Sequence, residues 1–161
     1  MFKEERKDLW EFYDKPNYKV FITVSGSLKA NGSLVMDRGC AKEATMRFPD
    51  IAVKLGEYLK VIKSIPALDD KTTQALSYPC TFWATDYSIG LFPIKYNWYD
   101  RADLKLIEES TKQLKFFADE FKDCTIVLPR PGCNSGGRNW EAEIYPILEK
   151  HLDERFLVVH K

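Results

Sequence analysis

No apolar run in this chain approaches the ~20 residues that a membrane-spanning helix needs, so a membrane partner is not expected. The first residues, Met1 to Arg6, carry charge where a signal peptide carries its apolar centre. Net charge is missing too. Twenty-four basic residues balance 24 acidic ones, which excludes a general polyanion-coating role and leaves room for a local basic site. Cysteine is sparse. The four present, Cys40, Cys80, Cys124 and Cys133, show neither CxxC nor metal-ligand spacing, and a reducing cytoplasm is the expected compartment. His151 and His160 are the only histidines, and neither has a second ligand at metal spacing. No metal and no other cofactor is therefore expected. No nucleophile-elbow pattern announces a Ser–His–Asp triad. Repeats, linkers and low-complexity stretches are also lacking, so residues 1–161 are expected to form one domain. What is present, 45% hydrophobic and 30% charged residues, describes a globular chain able to bury roughly 70% of its unfolded surface.

Strand and helix patterns interleave from end to end. Residues 1–17 read as an irregular or short helical lead-in that packs Trp10 and Phe12 onto the body. Tyr18 to Val24 is a nearly continuous apolar run, predicting a central strand covered on both faces. Asn31-Gly32 predicts a tight loop or small hairpin. Cys40 to Arg47 forms a helix, and Asp50 caps another whose apolar stripe runs from Ile51 to Ile62 until Ile65-Pro66 stops it. Residues 67–79 carry turn residues. Cys80 to Thr85 and Ile89 to Ile94 read as strands joined by a turn. Asp100 is expected to cap a long helix from Arg101 to about Lys122, with Leu104, Ile107, Leu114, Phe117, Ala118 and Phe121 on its core side. Cys124 to Leu128 and Arg155 to His160 are buried strands. The helix between them, Glu141 to His151, must kink or restart at Pro146, which removes a donor and clashes one turn back. These elements predict a three-layer α/β/α sandwich with a mixed central sheet.

The stretch from Pro129 to Trp140 joins a strand to a helix and carries Gly132, Gly136 and Gly137. It is neither a Walker A motif nor GxGxxG. In a parallel βαβ unit such a loop lies at the carboxyl end of its strand and the amino end of a helix, where unpartnered N–H groups attract phosphate. Gly39, beside Arg38, opens a second helix in the same way. Gly132 to Arg138 and Arg38 to Ala41 are thus two candidate anion cradles converging on one diphosphate. Cys133 lies at a helix amino end, a place that lowers a thiol pKa. Trp83, Tyr96, Trp98 and Tyr99 near Lys95 are assigned to core and cleft walls, because zero net charge argues against nucleic acid as the primary partner.

Three segments in register carry a resemblance. They are Thr23 to Ala44 with Arg47-Phe48-Pro49; Gly90 to Lys95 with Trp98, Ala102 to Ile107 and Ser110; and Leu128 to Cys133 with Gly136, Gly137 and Trp140. Together, over roughly residues 18–160, they resemble the macrodomain family of ADP-ribose-binding modules, most closely the short single-domain type often encoded by bacteriophages. The resemblance implies that Met36, Asp37, Arg38, Gly39, Cys40 and Ala41 wrap the proximal side of the diphosphate and ribose. It implies that Pro131, Gly132, Cys133, Asn134, Ser135, Gly136, Gly137 and Arg138 close on the distal phosphate and ribose. The adenine would lie near Thr23, Ser25 and Gly26.

Lys95 stands where the branch resembling terminal ADP-ribose glycohydrolases carries a nucleophile for the distal ribose. That branch partners its lysine with an aspartate in the Gly-rich loop, at a position falling near Gly136. Cys133 to Trp140 contains no Asp or Glu. Ser25 replaces the usual asparagine of such relatives, and Asp37 replaces a glycine. The resemblance therefore implies a module that recognises or sequesters ADP-ribose or a related NAD-derived nucleotide, free or attached to a macromolecule. The alternative is a hydrolase that removes ADP-ribose from a target or a terminal phosphate from an ADP-ribose derivative.

Overall fold

The structure, a computed structural model, describes residues 1–63 and 82–161. Expectations for the Ile65-Pro66 stop, residues 67–79 and the start of the strand at Cys80 lie outside the described residues. A six-stranded sheet is built from β1 (Lys3–Arg6), β2 (Tyr18–Ser25), β3 (Phe82–Ala84), β4 (Ile89–Lys95), β5 (Thr125–Pro129) and β6 (Phe156–His160), in the order β1-β6-β5-β2-β4-β3. All neighbours run parallel except the β3–β4 pair, so the sheet is mixed, as predicted.

Strand periodicity divides the core into two layers. Val20, Ile22 and Val24 of β2, with Val127, Leu157 and Val159, pack under α1 (Gly39–Arg47) and α2 (Ile51–Lys63). Phe21, Phe92, Ile126, Leu128, Phe156 and Val158 face the other way, against α3 (Leu104–Glu120) and α4 (Tyr145–His151). This is the three-layer sandwich. Among the described residues no helix is long and apolar enough to cross a membrane.

Two local departures from the sequence reading, and one expectation that is met, have physical causes. First, Lys3–Arg6 is a strand although every residue in it is exposed. Backbone pairing with β6 fixes it, and a charged edge strand resists further pairing. The expected burial of Trp10 and Phe12 does occur, on a 3₁₀ turn at Leu9–Phe12. Second, the long helix starts later than Asp100. Its cap is Asp103, whose Oδ1 accepts from the Leu106 amide at 2.9 Å. Tertiary bonds hold the preceding residues off helical geometry: the Ala102 amide donates to the Gly136 carbonyl at 2.8 Å and the Asp103 amide to Ile94 at 2.7 Å. Third, Pro146 does restart the last helix. A wide turn over Trp140–Ile144 precedes it, with the Ile144 amide donating back to Asn139 at 3.2 Å, and Pro146 occupies the first turn of α4, where no donor is needed.

Asn139 caps that wide turn, its Oδ1 accepting from the Ala142 amide at 2.7 Å. Asn139→Ala is expected to lower stability by about 1 kcal/mol, typical of a lost cap. Urea unfolding of the variant checks this, and an unchanged midpoint would contradict it.

Candidate functional site

The carboxyl ends of β2, β4, β5 and β6 open on one side of the sheet. Such ends, where strand order reverses, leave a crevice in open α/β sheets. A cavity of about 1220 Å³ lies there, lined by Thr23 to Ser25, Ile94 and Lys95, Pro129 and Arg130, and Val159 to Lys161. That exceeds the ~300–1,000 Å³ typical of small-molecule sites, so it has room for a dinucleotide-sized ligand.

One wall is the loop from Leu28 into α1. Met36 to Ala41 all line the cavity. Met36 is buried and anchors the loop in the core, while the Asp37 carboxylate pairs with Lys29 at 3.1 Å. Gly39 takes φ +60°, a left-handed value that a residue with a Cβ adopts at a cost. Among the described residues no side chain caps α1, and no acid stands in its first turn, so its amino end remains open to an anion. Cys40 Sγ closes the wall onto β2, accepting from the Thr23 amide at 3.4 Å. Burial pushes that thiol up from its ordinary pKa.

The opposite wall is Gly132 to Gly136 with Arg138. The Arg138 amide donates to the Gly132 carbonyl at 2.9 Å and the Gly137 amide to Asn134 at 3.2 Å, folding the loop back on itself. Gly136 sits so close to Gly132 that a Cβ there would meet its carbonyl oxygen at 2.6 Å. The helix start behind this loop is partly closed. Asn139 caps it through the Ala142 amide, and Glu143 Oε1 accepts from the Asn139 amide at 3.0 Å, a reciprocal arrangement that satisfies these two amides internally. The Arg138 guanidinium is likewise engaged, donating from Nε to Ala102 at 2.7 Å and from one terminal nitrogen to Glu143 at 3.0 Å.

Of the residues singled out from the sequence, Gly26, Pro131 and Gly137 stand outside the lining. The Gly26 amide donates to the Lys95 carbonyl at 3.0 Å, and the Gly137 carbonyl accepts from Arg101 at 2.8 Å. Both support the walls from behind. Cys133 does line the cavity, but the expected drop in its pKa is reversed. Burial pushes the thiol up to about 11, and it donates weakly to the Pro131 carbonyl at 3.6 Å. The Arg130 guanidinium opposes burial but does not outweigh it, and the Glu143 carboxylate adds to the rise.

Lys95 ends β4 with its side chain buried, only 7% exposed, in the cavity wall. Its Nζ donates to the Asp100 carbonyl at 3.3 Å. Burial, helped by the nearby Arg38 guanidinium, lowers its pKa from the ordinary lysine value, and the Asp100 charge opposes this. Trp98, Tyr99 and Asp100 continue the wall beyond Lys95, and Trp140 lies farther round under Arg130, 4.7 Å from ring centroid to guanidinium carbon. The sequence reading assigned Trp98 and Tyr99 to core and cleft walls without naming them as ligand contacts, and it left Asp100 and Trp140 out of the binding set. Their signal was position: each follows the carboxyl end of a parallel strand or its loop. Among the described residues seven basic side chains line the cavity against four acidic ones, so an electrically neutral chain concentrates positive charge here. Among the described residues no group of His, Cys, Asp and Glu gathers as a metal site.

No family model matches the sequence, and no curated protein does. Solved structures do. The macrodomain of Thermus aquaticus DarG is 25% identical, with a TM-score of 0.64 over 100% of this chain and 98% of that one. The macrodomain of Mycobacterium tuberculosis DarG is 19% identical, with a TM-score of 0.63 over 100% and 98%. Thermosipho africanus DarTG, solved in complex with ADP-ribose, is 20% identical with a TM-score of 0.58, over 91% of this chain but 42% of that longer one. The chain has the macrodomain fold.

Proposed function

We propose that this protein binds ADP-ribose, or a closely related NAD-derived nucleotide, in the cavity at the strand ends. The observation carrying this reading is that the two glycine-bearing loops, far apart in sequence, wall one cavity with an excess of basic side chains. In it the open amino end of α1 and Arg38 take one phosphate, and the amides of Gly132 to Gly136 take the other. Thr23 and Ser25 border the proximal ribose and adenine, with Cys40 and Ala41 behind them. Asn134 and Ser135 border the distal ribose. Arg138 and Gly137 hold the distal loop in shape, and Pro131 and Gly26 fix the backbone at its two ends. The solved complex of Thermosipho africanus DarTG with ADP-ribose supports the choice of ligand. The ligand is bound free or through a macromolecule that carries it, as a recognition or sequestering module, and residues 1–161 act as one unit. Thermal unfolding with ADP-ribose at a hundred times its Kd is expected to reveal about 2.7 kcal/mol of added stability. An unmoved midpoint at millimolar ligand contradicts the reading.

A specific observation favours a second reading, hydrolysis of a bond at the distal ribose. Lys95 meets both conditions for a nucleophilic amine: its side chain is buried, and a cation lies close enough to depress its pKa. Lys95→Ala is then expected to lower release of ADP-ribose from a modified target by at least about 100-fold while ADP-ribose still binds. The wild-type rate should rise with pH as the amine loses its proton, and level off below the pH of an ordinary lysine. A chain that binds ADP-ribose but releases none from ADP-ribosylated protein or nucleic acid is a binder alone.

A further inference from the structure

We infer that Asp37 is a specificity-determining residue of this site. Paired with Lys29, it keeps the wall assigned to the first phosphate electrically neutral. The site is thereby set for a diphosphate esterified at both ends and against ADP, whose terminal phosphate carries more charge. This deepens the ADP-ribose reading and rests on it.

Asp37 directly precedes Arg38, whose extended backbone opens α1, and both residues line the cavity. Among the described residues no side chain caps that helix, so Asp37 does not turn its carboxylate into the helix end. Its Oδ1 accepts from Lys29 Nζ at 3.1 Å instead, and Lys29 lines the same cavity. One cation beside the phosphate position is thus committed to a carboxylate of the wall itself. The backbone of Lys29 is fixed. Its amide donates to the Ser33 carbonyl at 2.8 Å and its carbonyl accepts from the Gly32 amide at 2.9 Å. The Leu34 amide ties this arch to Ala52 of α2 at 2.8 Å, so only the Lys29 side chain is left to exchange Asp37 for a ligand.

No such pair stands in the other wall. Gly132 to Gly136 contains no acid, and Glu143, which holds Arg138, lies outside the cavity lining. Discrimination by charge therefore belongs to the Asp37 side. Each phosphate of a doubly esterified diphosphate carries one charge, whereas a terminal phosphate, as a monoester, carries close to two near neutral pH. Attraction to an uncompensated Lys29 would grow with every negative charge on the ligand, so ADP would gain more from it than ADP-ribose. Asp37 removes that advantage.

Titration calorimetry of ADP-ribose and of ADP tests the inference. Asp37→Asn keeps the shape and removes the charge. It should tighten ADP-ribose by about threefold or more and ADP by a larger factor, so that the preference for ADP-ribose shrinks. Lys29→Met, which leaves Asp37 unpaired, should weaken both ligands and widen the preference. The double variant restores neutrality and should return both affinities to within about twofold of the unaltered chain. Because the pair is exposed, about 0.5 M salt should erase most of the Asp37→Asn gain. Glu120→Gln, at an exposed acid outside the cavity lining, controls for net charge and should change neither affinity. An unchanged ratio of ADP-ribose to ADP affinity in Asp37→Asn, or an equal gain in Glu120→Gln, overturns the role of Asp37 and leaves ADP-ribose binding standing. No binding of ADP-ribose by the unaltered chain overturns the nucleotide reading itself, and Asp37 with it.

Discussion

Gly136→Val is expected to lower the affinity for ADP-ribose by about 100-fold, the loss of roughly two charge-assisted hydrogen bonds. A Cβ at this position meets the Gly132 carbonyl oxygen at 2.6 Å, Cα at 2.7 Å and carbonyl carbon at 2.9 Å. All three atoms are backbone, so no side-chain rotation relieves the clash and the loop must open. Opening also strains the bond from the Ala102 amide to the Gly136 carbonyl, which ties the loop to the segment behind Lys95. A stability cost of about 1–3 kcal/mol accompanies such overpacking. Titration at a temperature well below the variant's unfolding midpoint separates the two effects. Affinity within a few-fold of wild type would show that the loop amides do not carry the phosphate.

Phe92→Ala has the largest expected effect on stability, a loss of about 3–5 kcal/mol. Phe92 is fully buried on β4, which pairs with β2 on one side and β3 on the other. Its ring fills the layer between the sheet and α3, among Ile107, Leu114 and Phe21. Removing the ring leaves a cavity in a close-packed interior, and the cost is a large share of the ~5–15 kcal/mol that holds a domain together. Phe116, on the outer side of the same helix and 65% exposed, supplies the contrast. Phe116→Ala should change stability by no more than about 0.5 kcal/mol. Urea midpoints for the two variants check both figures, and similar midpoints would mean that the layer assignment is wrong.

The elements legible in the sequence are those whose pattern is local. Tyr18 to Val24 and Phe156 to His160 announce buried strands because their apolar runs are nearly continuous, and a sheet covered on both faces asks for that. The stripe from Leu104 to Ala118 announces a helix because spacing near 3.6 residues places one face on the core. β1 is illegible for the converse reason: Lys3, Glu4, Glu5 and Arg6 bury nothing, and only hydrogen bonds to β6 make them a strand. The start of α3 offers two aspartates of equal capping power, and the choice of Asp103 depends on bonds to Gly136 and Ile94 from distant parts of the chain.

The same division runs through the site. Glycine beside a strand end or helix start marked both walls, since backbone geometry there requires it. What Arg138 and Glu143 do was hidden: Glu143 pairs with Asn139 across a helix start that looks open in the sequence, and it also holds the Arg138 guanidinium. The sign of the Cys133 shift was hidden too, for burial outweighs the pull of the Arg130 guanidinium. Asp100 and Lys95 lie five residues apart, yet only the fold brings both to one cavity between the loops.

Titration calorimetry of ADP-ribose into the unaltered protein tests the central claim most directly. One ligand should bind per chain, with a Kd of micromolar or tighter, and unlabelled AMP should compete far more weakly because it lacks the distal phosphate and ribose. Absence of heat at high micromolar protein and ligand, or AMP binding as tightly as ADP-ribose, would contradict a cavity in which the two loops share one diphosphate.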